Sequence, residues 1–219
     1  MVSAIVTAAG KNRRMMEDLK SKNLPLTNKL LLDLKGKTVI EKTIENILNS
    51  GVKKCIIVVG HHSNQIIPVI NQINDDRILI IKNPDFNVEL SQSLYNGLVK
   101  SGEDICLCLA GDQPTITTDT MLNLIAASIE SRNIKNFLSV LARGESGFLS
   151  SAEGLGMPFV CHSETLKRYM KQNKSNLNPI LREMFKDGIT FYGVEPQNSL
   201  ELININRYQD YLKVLSGIN

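Results

Sequence analysis

Near-continuous apolar runs at Ser3–Ala8, Cys55–Val59, Ile78–Ile81, Ile105–Leu109 and Phe137–Leu141 alternate with stretches of helical periodicity at Val39–Ser50, Asn64–Ile73, Ser91–Lys100 and Thr118–Ser131. A strand that is apolar on both faces must be covered on both, which is the arrangement of a parallel sheet with helices on each side. Within Asn64–Ile73, Ile66, Ile67, Ile70 and Ile73 share one helical face. The rhythm therefore predicts an α/β fold with right-handed crossovers. Ligands in such sheets bind beyond the carboxyl ends of the strands, so chemistry is to be sought just after each apolar run.

The C-terminal part elaborates this frame. Arg143–Gly156 holds four glycines and three serines and reads as a mobile flap. Met157–Cys161, Ile189–Val194 and Leu200–Ile205 read as strands, and Ser163–Lys171 and Arg207–Leu215 as helices. Another helix is expected to start with Asn178 as N-cap and Pro179 in the first position, and to stop at Asp187-Gly188. No internal repeat or low-complexity linker divides the 219 residues, so residues 1–219 form one expected domain.

Composition narrows the chemistry. The chain has no Trp and 5% aromatic residues, which argues against a platform for stacking bases. A net charge of +3 is too small to mark a nucleic-acid binder. No run approaches the roughly 18 apolar residues of a membrane span. The short Ala4–Ala9 run also lacks the basic segment that opens a signal peptide. The expectation is a cytoplasmic protein with neither membrane nor nucleic acid as partner. Cys55, Cys106, Cys108 and Cys161 lie in apolar segments without CxxC spacing and are read as reduced core residues. Cys161-His162 joins two metal-ligand types, but nothing elsewhere completes a site.

Two motifs carry chemistry. The first apolar run ends in Ala8-Ala9-Gly10, and Lys11, Asn12, Arg13 and Arg14 follow. A strand running into a glycine loop ringed by cations suits an anion, phosphate above all. Neither GxGxxG nor GxxxxGK[ST] is present, which disfavours a Rossmann dinucleotide site and a P-loop. Gly10 with Arg14 four residues later is a different phosphate device; the alternative is a core strand followed by a solvated basic turn. The second motif is Leu107-Cys108-Leu109-Ala110-Gly111-Asp112-Gln113-Pro114. It puts Asp112 at the carboxyl edge of the sheet, across from the phosphate loop and placed to hold Mg²⁺. The alternative there is that Asp112 caps the turn before Pro114. Gly60-His61-His62-Ser63 lies on the same edge, where His61 and His62 either contact the ligand or, the simpler reading, form a turn with Ser63 as the N-cap of the next helix.

Several segments in order resemble the small nucleotidyltransferases of molybdenum cofactor maturation, in particular their cytidylyltransferase branch. The matching residues are Ala8-Ala9-Gly10, Asn12 and Arg14-Met15; Lys29-Leu30-Leu31-Leu32; Gly36-Lys37; Asn83-Pro84-Asp85-Phe86; Leu90-Ser91-Gln92-Ser93-Leu94; Gly97-Leu98; Gly111-Asp112-Gln113-Pro114; and Gly154-Leu155-Gly156-Met157-Pro158. The resemblance spans Ser3 to Tyr211. It implies a single Rossmann-like three-layer α/β/α sandwich of the nucleotide-diphospho-sugar transferase type. Residues up to about 115 would bind nucleotide and residues from about 116 the acceptor. The implied reaction moves CMP from CTP to the terminal phosphate of molybdopterin and releases pyrophosphate, with a recipient molybdoenzyme as a further partner. By the same resemblance Arg14, Lys29 and Asp112 are catalytic. Ala8, Ala9, Gly10, Lys11, Asn12, Arg14, Lys29, Ser93 and Gly111 would bind nucleotide, and Asp112 and Asn206 would hold Mg²⁺. The Ala-Ala-Gly form also resembles the cytidylyltransferases of isoprenoid synthesis, whereas the guanylyl branch usually has Gly-Gly.

The chain departs from the family pattern in four places. Asn12 stands where Ser is usual, and Met16 where Gly is usual. The spacer from Met15 to Lys29 is long and polar, and reads as a lid or, more simply, as a surface insertion. Glu89 replaces a Gly beside Ser91–Ser93, bringing a carboxylate toward the expected phosphate. Near the C-terminus, Asn204-Ile205-Asn206-Arg207-Tyr208-Gln209-Asp210 puts Asn206 at the expected second ligand position, where it offers an oxygen but no charge. Two other functions fit the same residues: a nucleotidyltransferase acting on a sugar or polyol phosphate or another acceptor, and a catalytically weak nucleotide- or cofactor-binding protein. Arg182 and Lys186 fit either an acceptor phosphate or a solvated face.

Overall fold

A computed structural model describes residues 1–85, 87–172 and 176–218. Phe86 of the Asn83-Pro84-Asp85-Phe86 match lies outside them. The strands are β1 (Val2–Ala8), β2 (Lys54–Val59), β3 (Ile78–Lys82), β4 (Ile105–Ala110), β5 (Phe137–Leu141), β6 (Gly147–Phe148), β7 (Phe159–His162) and β8 (Thr190–Val194). They form one sheet in the order β3-β2-β1-β4-β7-β5-β8-β6. The pairs β1–β2, β1–β4, β2–β3 and β5–β8 are parallel. β7 runs antiparallel between β4 and β5, and β6 antiparallel on β8. β1 sits centrally and is buried from Ser3 to Ala8, as its unbroken apolar run requires.

The eight helices are α1 (Arg13–Ser21), α2 (Val39–Asn49), α3 (Ser63–Asn71), α4 (Leu90–Ser101), α5 (Thr118–Ile129), α6 (Ser163–Gln172), α7 (Leu177–Lys186) and α8 (Tyr208–Gly217) among the described residues. Successive β1 residues serve opposite layers, because strand side chains alternate between faces. Ala4, Val6 and Ala8 join the apolar faces of α1, α2, α3 and α5, whereas Ile5 joins those of α4, α6 and α7. The three-layer expectation holds. No described helix is long and apolar enough to cross a membrane.

Four local readings change. The first part of the polar spacer after Met15 is helical: α1 runs on to Ser21, with Met15 and Leu19 buried and Asp18 anchoring α8 through Arg207 and the Tyr208 N–H. Leu200–Ile205 is not a strand: Ser199–Leu202 forms a 3₁₀ turn. Its buried Glu201 draws donors from Thr117, Thr120 and Gln197, which an extended strand on β8 would not meet. α7 starts at Leu177, two residues earlier than expected. Asn176 is its N-cap and Pro179 falls in the first turn, where a missing N–H costs no helical bond. Ser63 is the first residue of α3 rather than its cap, a position taken by His62. Within the expected flap, Gly147–Phe148 pairs with β8.

Candidate functional site

The carboxyl ends of β1 and β4 lie side by side, and their loops build the site. Gly111 ties them, donating its N–H to the Thr7 carbonyl at 2.9 Å. A Cβ on Gly111 would stand 2.9 Å from Ile40 Cδ1 and 3.4 Å from that carbonyl, so a side chain there would have to push the Ile40 tip aside. Beyond β1 the chain passes through Ala8, Ala9 and Gly10. A Cβ on Gly60, at the end of β2, would meet the Ala9 carbonyl and Cβ at 2.9 Å. Gly60 therefore lets the Ala8–Gly10 loop lie against the end of β2. At Gly10 the same construction meets no atom within 4 Å, so its surroundings are open to a ligand.

Lys29 joins this loop from a separate segment. Asn12, buried and in the left-handed conformation with φ 57°, accepts the Lys29 N–H at 3.4 Å and donates to the Thr27 carbonyl at 3.4 Å. The Asn12 side chain thus positions Lys29. Ser would be too short to make both bonds, which gives the departure from Ser a physical role. The Lys29 ammonium contacts Asp112 Oδ2 and donates to Asn206 Oδ1 at 2.9 Å. Arg14 reaches the same Asn206 oxygen at 3.5 Å. Asn206 arrives because Ile205 donates to the Asp112 carbonyl at 3.0 Å and Asp210 accepts the Asn206 N–H at 3.1 Å. Arg14, Lys29, Asp112 and Asn206, spread over most of the chain, meet in one cluster.

The cluster floors a cavity of about 400 Å³ that also touches Ala8, Ala9, Gly10, Ser93 and Glu89. A neighbouring hollow of about 460 Å³ takes in Lys11, Arg13 and Asn87. Lys11 extends along this rim and donates to Asn87 at 2.9 Å. Ser93 faces the cavity but is already engaged, accepting from Asn83 at 2.9 Å. Glu89 is the N-cap of α4 and exposed, so its charge is eased by the positive helix end and by water. The four cysteines are buried free thiols, as expected of core residues.

Two residues contribute without having been singled out for a role. Gln113 is buried; it accepts the Ala110 N–H at 2.9 Å and donates to the Met157 carbonyl at 2.9 Å and to Asn204 at 3.3 Å. It thereby joins β4, the end of the flap and the Asn206 segment. Arg143 leaves β5 and donates to the carbonyls of Leu202 and Met157 at 3.4 Å each. Desolvation draws its pKa below the ordinary guanidinium value. With Arg182 it lines a further cavity of about 600 Å³, which shares Leu90, Met157, Asn176 and Asn204 with the 400 Å³ one. Arg182 itself pairs with Glu153 at 3.2 Å. Arg143 and Arg182 lie outside recognisable motifs, and a glycine-rich segment conceals Arg143.

The donor set fits a divalent cation. Asp112 brings a carboxylate to the wall of the 400 Å³ cavity, and Asn206 adds an uncharged oxygen beside it. No group of three or more His, Cys, Asp and Glu suited to a metal occurs among the described residues. Mg²⁺ needs no such cage, because it is commonly held by one or two carboxylates together with substrate phosphates.

The model of the MobA-like NTP transferase domain matches residues 4–185. A solved nucleotidyl transferase from Methanothermobacter superposes with a TM-score of 0.91 at 39% identity, covering 99% of this chain and 96% of its own. The 4-diphosphocytidyl-2C-methyl-D-erythritol synthase of Anaerococcus prevotii shares the fold at a TM-score of 0.71 and 16% identity, over 99% and 95% of the two chains. The bifunctional protein GlmU of Staphylococcus saprophyticus is 29% identical over 154 residues, which are 69% of this chain but 32% of the relative. The match thus spans about a third of that curated relative's length.

Proposed function

The chain belongs to the MobA-like NTP transferase domain family, and from that premise we propose that it transfers a nucleotidyl group, CMP from CTP, to a phosphate monoester, with molybdopterin as the acceptor. The observation that carries the proposal is the convergence of Arg14, Lys29, Asp112 and Asn206 beside the Gly10 loop. In this reading the triphosphate lies along residues 8–12 and the acceptor enters from the Arg143 and Arg182 side. An oxygen of the acceptor phosphate attacks the α-phosphorus as the bond to the bridging oxygen breaks, and the electron pair leaves with pyrophosphate. Arg14 and Lys29 neutralise that developing charge. No protein base is required, because a phosphate monoester is largely ionised near neutral pH. Mg²⁺, held by Asp112 and Asn206, supplies polarisation of the phosphoryl oxygens when bound.

The choice of CTP is supported by the Ala-Ala-Gly loop and by the diphosphocytidyl product in the Anaerococcus neighbour's name. The same name supports a second reading, in which the acceptor is a polyol phosphate. The test is thermal unfolding with each of the four nucleoside triphosphates, with and without Mg²⁺. It is followed by pyrophosphate release with molybdopterin and with sugar and polyol phosphates. A ligand at about 100 times its dissociation constant adds about 2.7 kcal/mol of stability. A shift with CTP and turnover with molybdopterin support the proposal. Turnover with a polyol phosphate alone moves it to the second reading, and no shift with any nucleotide overturns both.

A further inference from the structure

Asp112 has one oxygen sealed inside the protein and the other engaged. Oδ1 is buried and makes no hydrogen bond among the described residues, while Oδ2 is in contact with the ammonium of Lys29. The same ammonium donates to Asn206 Oδ1 at 2.9 Å, and Arg14 adds a second positive charge 3.5 Å from that oxygen. A divalent cation approaching the carboxylate and the carboxamide together therefore meets positive charge at both. The oxygen that Lys29 does not touch is the one solvent does not reach.

Lys29 is also built to leave. Its backbone is fixed, with the N–H on Asn12 and the Asn28 side chain capping the turn at Leu30. Its four-carbon stem is flexible, and the residue borders both the 400 Å³ and the 460 Å³ cavities. The ammonium can thus swing from Asp112 to an anion on the Gly10 loop without any movement of the fold.

We infer that Lys29 gates the cation position: its ammonium competes with a free divalent cation for Asp112 and Asn206, and a bound triphosphate opens the position by drawing the ammonium onto its own oxygens. The cation then binds after the nucleotide or with it, and not ahead of it. The competition concerns this chain alone. The release step rests on the nucleotidyl-transfer reading.

The experiment follows Mn²⁺ through its enhancement of water proton relaxation, which rises when the ion is held by protein. Wild type, Lys29→Met and Asp112→Asn are titrated with Mn²⁺ alone and then with CTP, or each of the other three nucleoside triphosphates, present. The gate requires that Lys29→Met bind Mn²⁺ without nucleotide about tenfold or more tightly than wild type, the scale on which one contacting charge changes affinity for a cation. It also requires that wild type gain Mn²⁺ binding when CTP is added, and that Asp112→Asn show neither effect. Lys29→Gln repeats the test with a polar side chain should the Met variant fold poorly. Equal Mn²⁺ affinity of wild type and both Lys29 variants overturns the gate. Tighter binding in the Lys29 variants, with no response of wild type to any of the four nucleotides, upholds the competition and overturns the nucleotide reading instead.

Discussion

The backbone N–H of Ile205 donates to the backbone carbonyl of Asp112 at 3.0 Å. This bond sets the spacing of the proposed metal pair, because the side chains of Asp112 and Asn206 grow from neighbouring positions on two strapped segments. A backbone bond keeps that spacing whatever residue stands at position 206.

The carboxylate of Asp112 carries the charge that the proposed chemistry uses. Asp112→Asn is expected to lower the rate of pyrophosphate release about 100-fold or more, in line with the loss of one preorganised electrostatic group. The midpoint of urea unfolding should move little, since Gly111, Gln113 and the Ile205 bond still hold the loop. A rate near that of wild type would remove Asp112 from the reaction.

Glu201 is fully buried and accepts four hydrogen bonds: from the N–H and hydroxyl of Thr117, from the Thr120 hydroxyl and from the N–H of Gln197. Every partner is a donor, so an amide NH₂ at either oxygen would face another donor. Glu201→Gln should cost about 2–3 kcal/mol, as for bonds to a charged group left unsatisfied. Equilibrium denaturation reads the cost. Because the 3₁₀ turn leads directly to Asn206, activity is expected to fall before global unfolding does.

Gly97 lies where α4 crosses the sheet. A Cβ there would sit 2.5 Å from Ile5 Cγ2 and 3.0 Å from Val58 Cγ2, both on buried β-branched residues. Alanine favours a helix over glycine by about 1 kcal/mol, whereas overpacking a core costs about 1–3 kcal/mol. The clash falls on stiff strand side chains, so Gly97→Ala should be destabilising overall in a urea titration. A gain in stability would show that α4 can lift from β1 without cost.

Asp75 and Arg77 pin the turn into β3. Arg77 bonds the Asp75 carboxylate through its side chain and its N–H, and also donates to the Leu48 carbonyl at 2.9 Å. The side-chain bond from Arg77 is the main cause that holds the Asp75 pKa at about 2, below its ordinary 3.8. A carboxyl acidified on folding stabilises the fold above its unfolded pKa, and that contribution disappears as pH falls through the folded value. Wild type should therefore be more stable than Asp75→Asn near pH 6, with the gap closing between pH 4 and pH 2. A gap that persists at pH 2 would assign the effect to the turn's hydrogen bonds and not to its charge.

The sheet was legible in the sequence because buried parallel strands are apolar without interruption, and Phe137–Leu141 matches β5 end to end. The same principle explains the failures. Leu200–Ile205 has strand-like apolar content, but a single buried carboxylate dictates its shape through partners far away in sequence. The flap conceals a two-residue strand, too short for any pattern to register. In the candidate site, Arg14, Lys29, Asp112 and Asn206 were found because they sit in ordered motifs. Gln113 stood inside one of those motifs, yet its function as a brace needed coordinates. The family resemblance makes Lys29 a phosphate ligand, whereas its contact with Asp112 is a relation between distant residues that no local spacing encodes.

One reversed strand has a wider consequence. Because β7 runs against β4 and β5, the residues that precede it, Gly154–Pro158, are delivered to the same edge at which β1 and β4 finish. A parallel strand there would have carried them to the opposite end of the sheet. The antiparallel insertion thus lets one rim of the molecule be written in two separate chapters, residues 8–14 and 111–113 in one, residues 143–157 and 176–182 in the other. On the proposed reading, a designer seeking a new acceptor could rewrite the second chapter while leaving the first, and the strands beneath it, as they are.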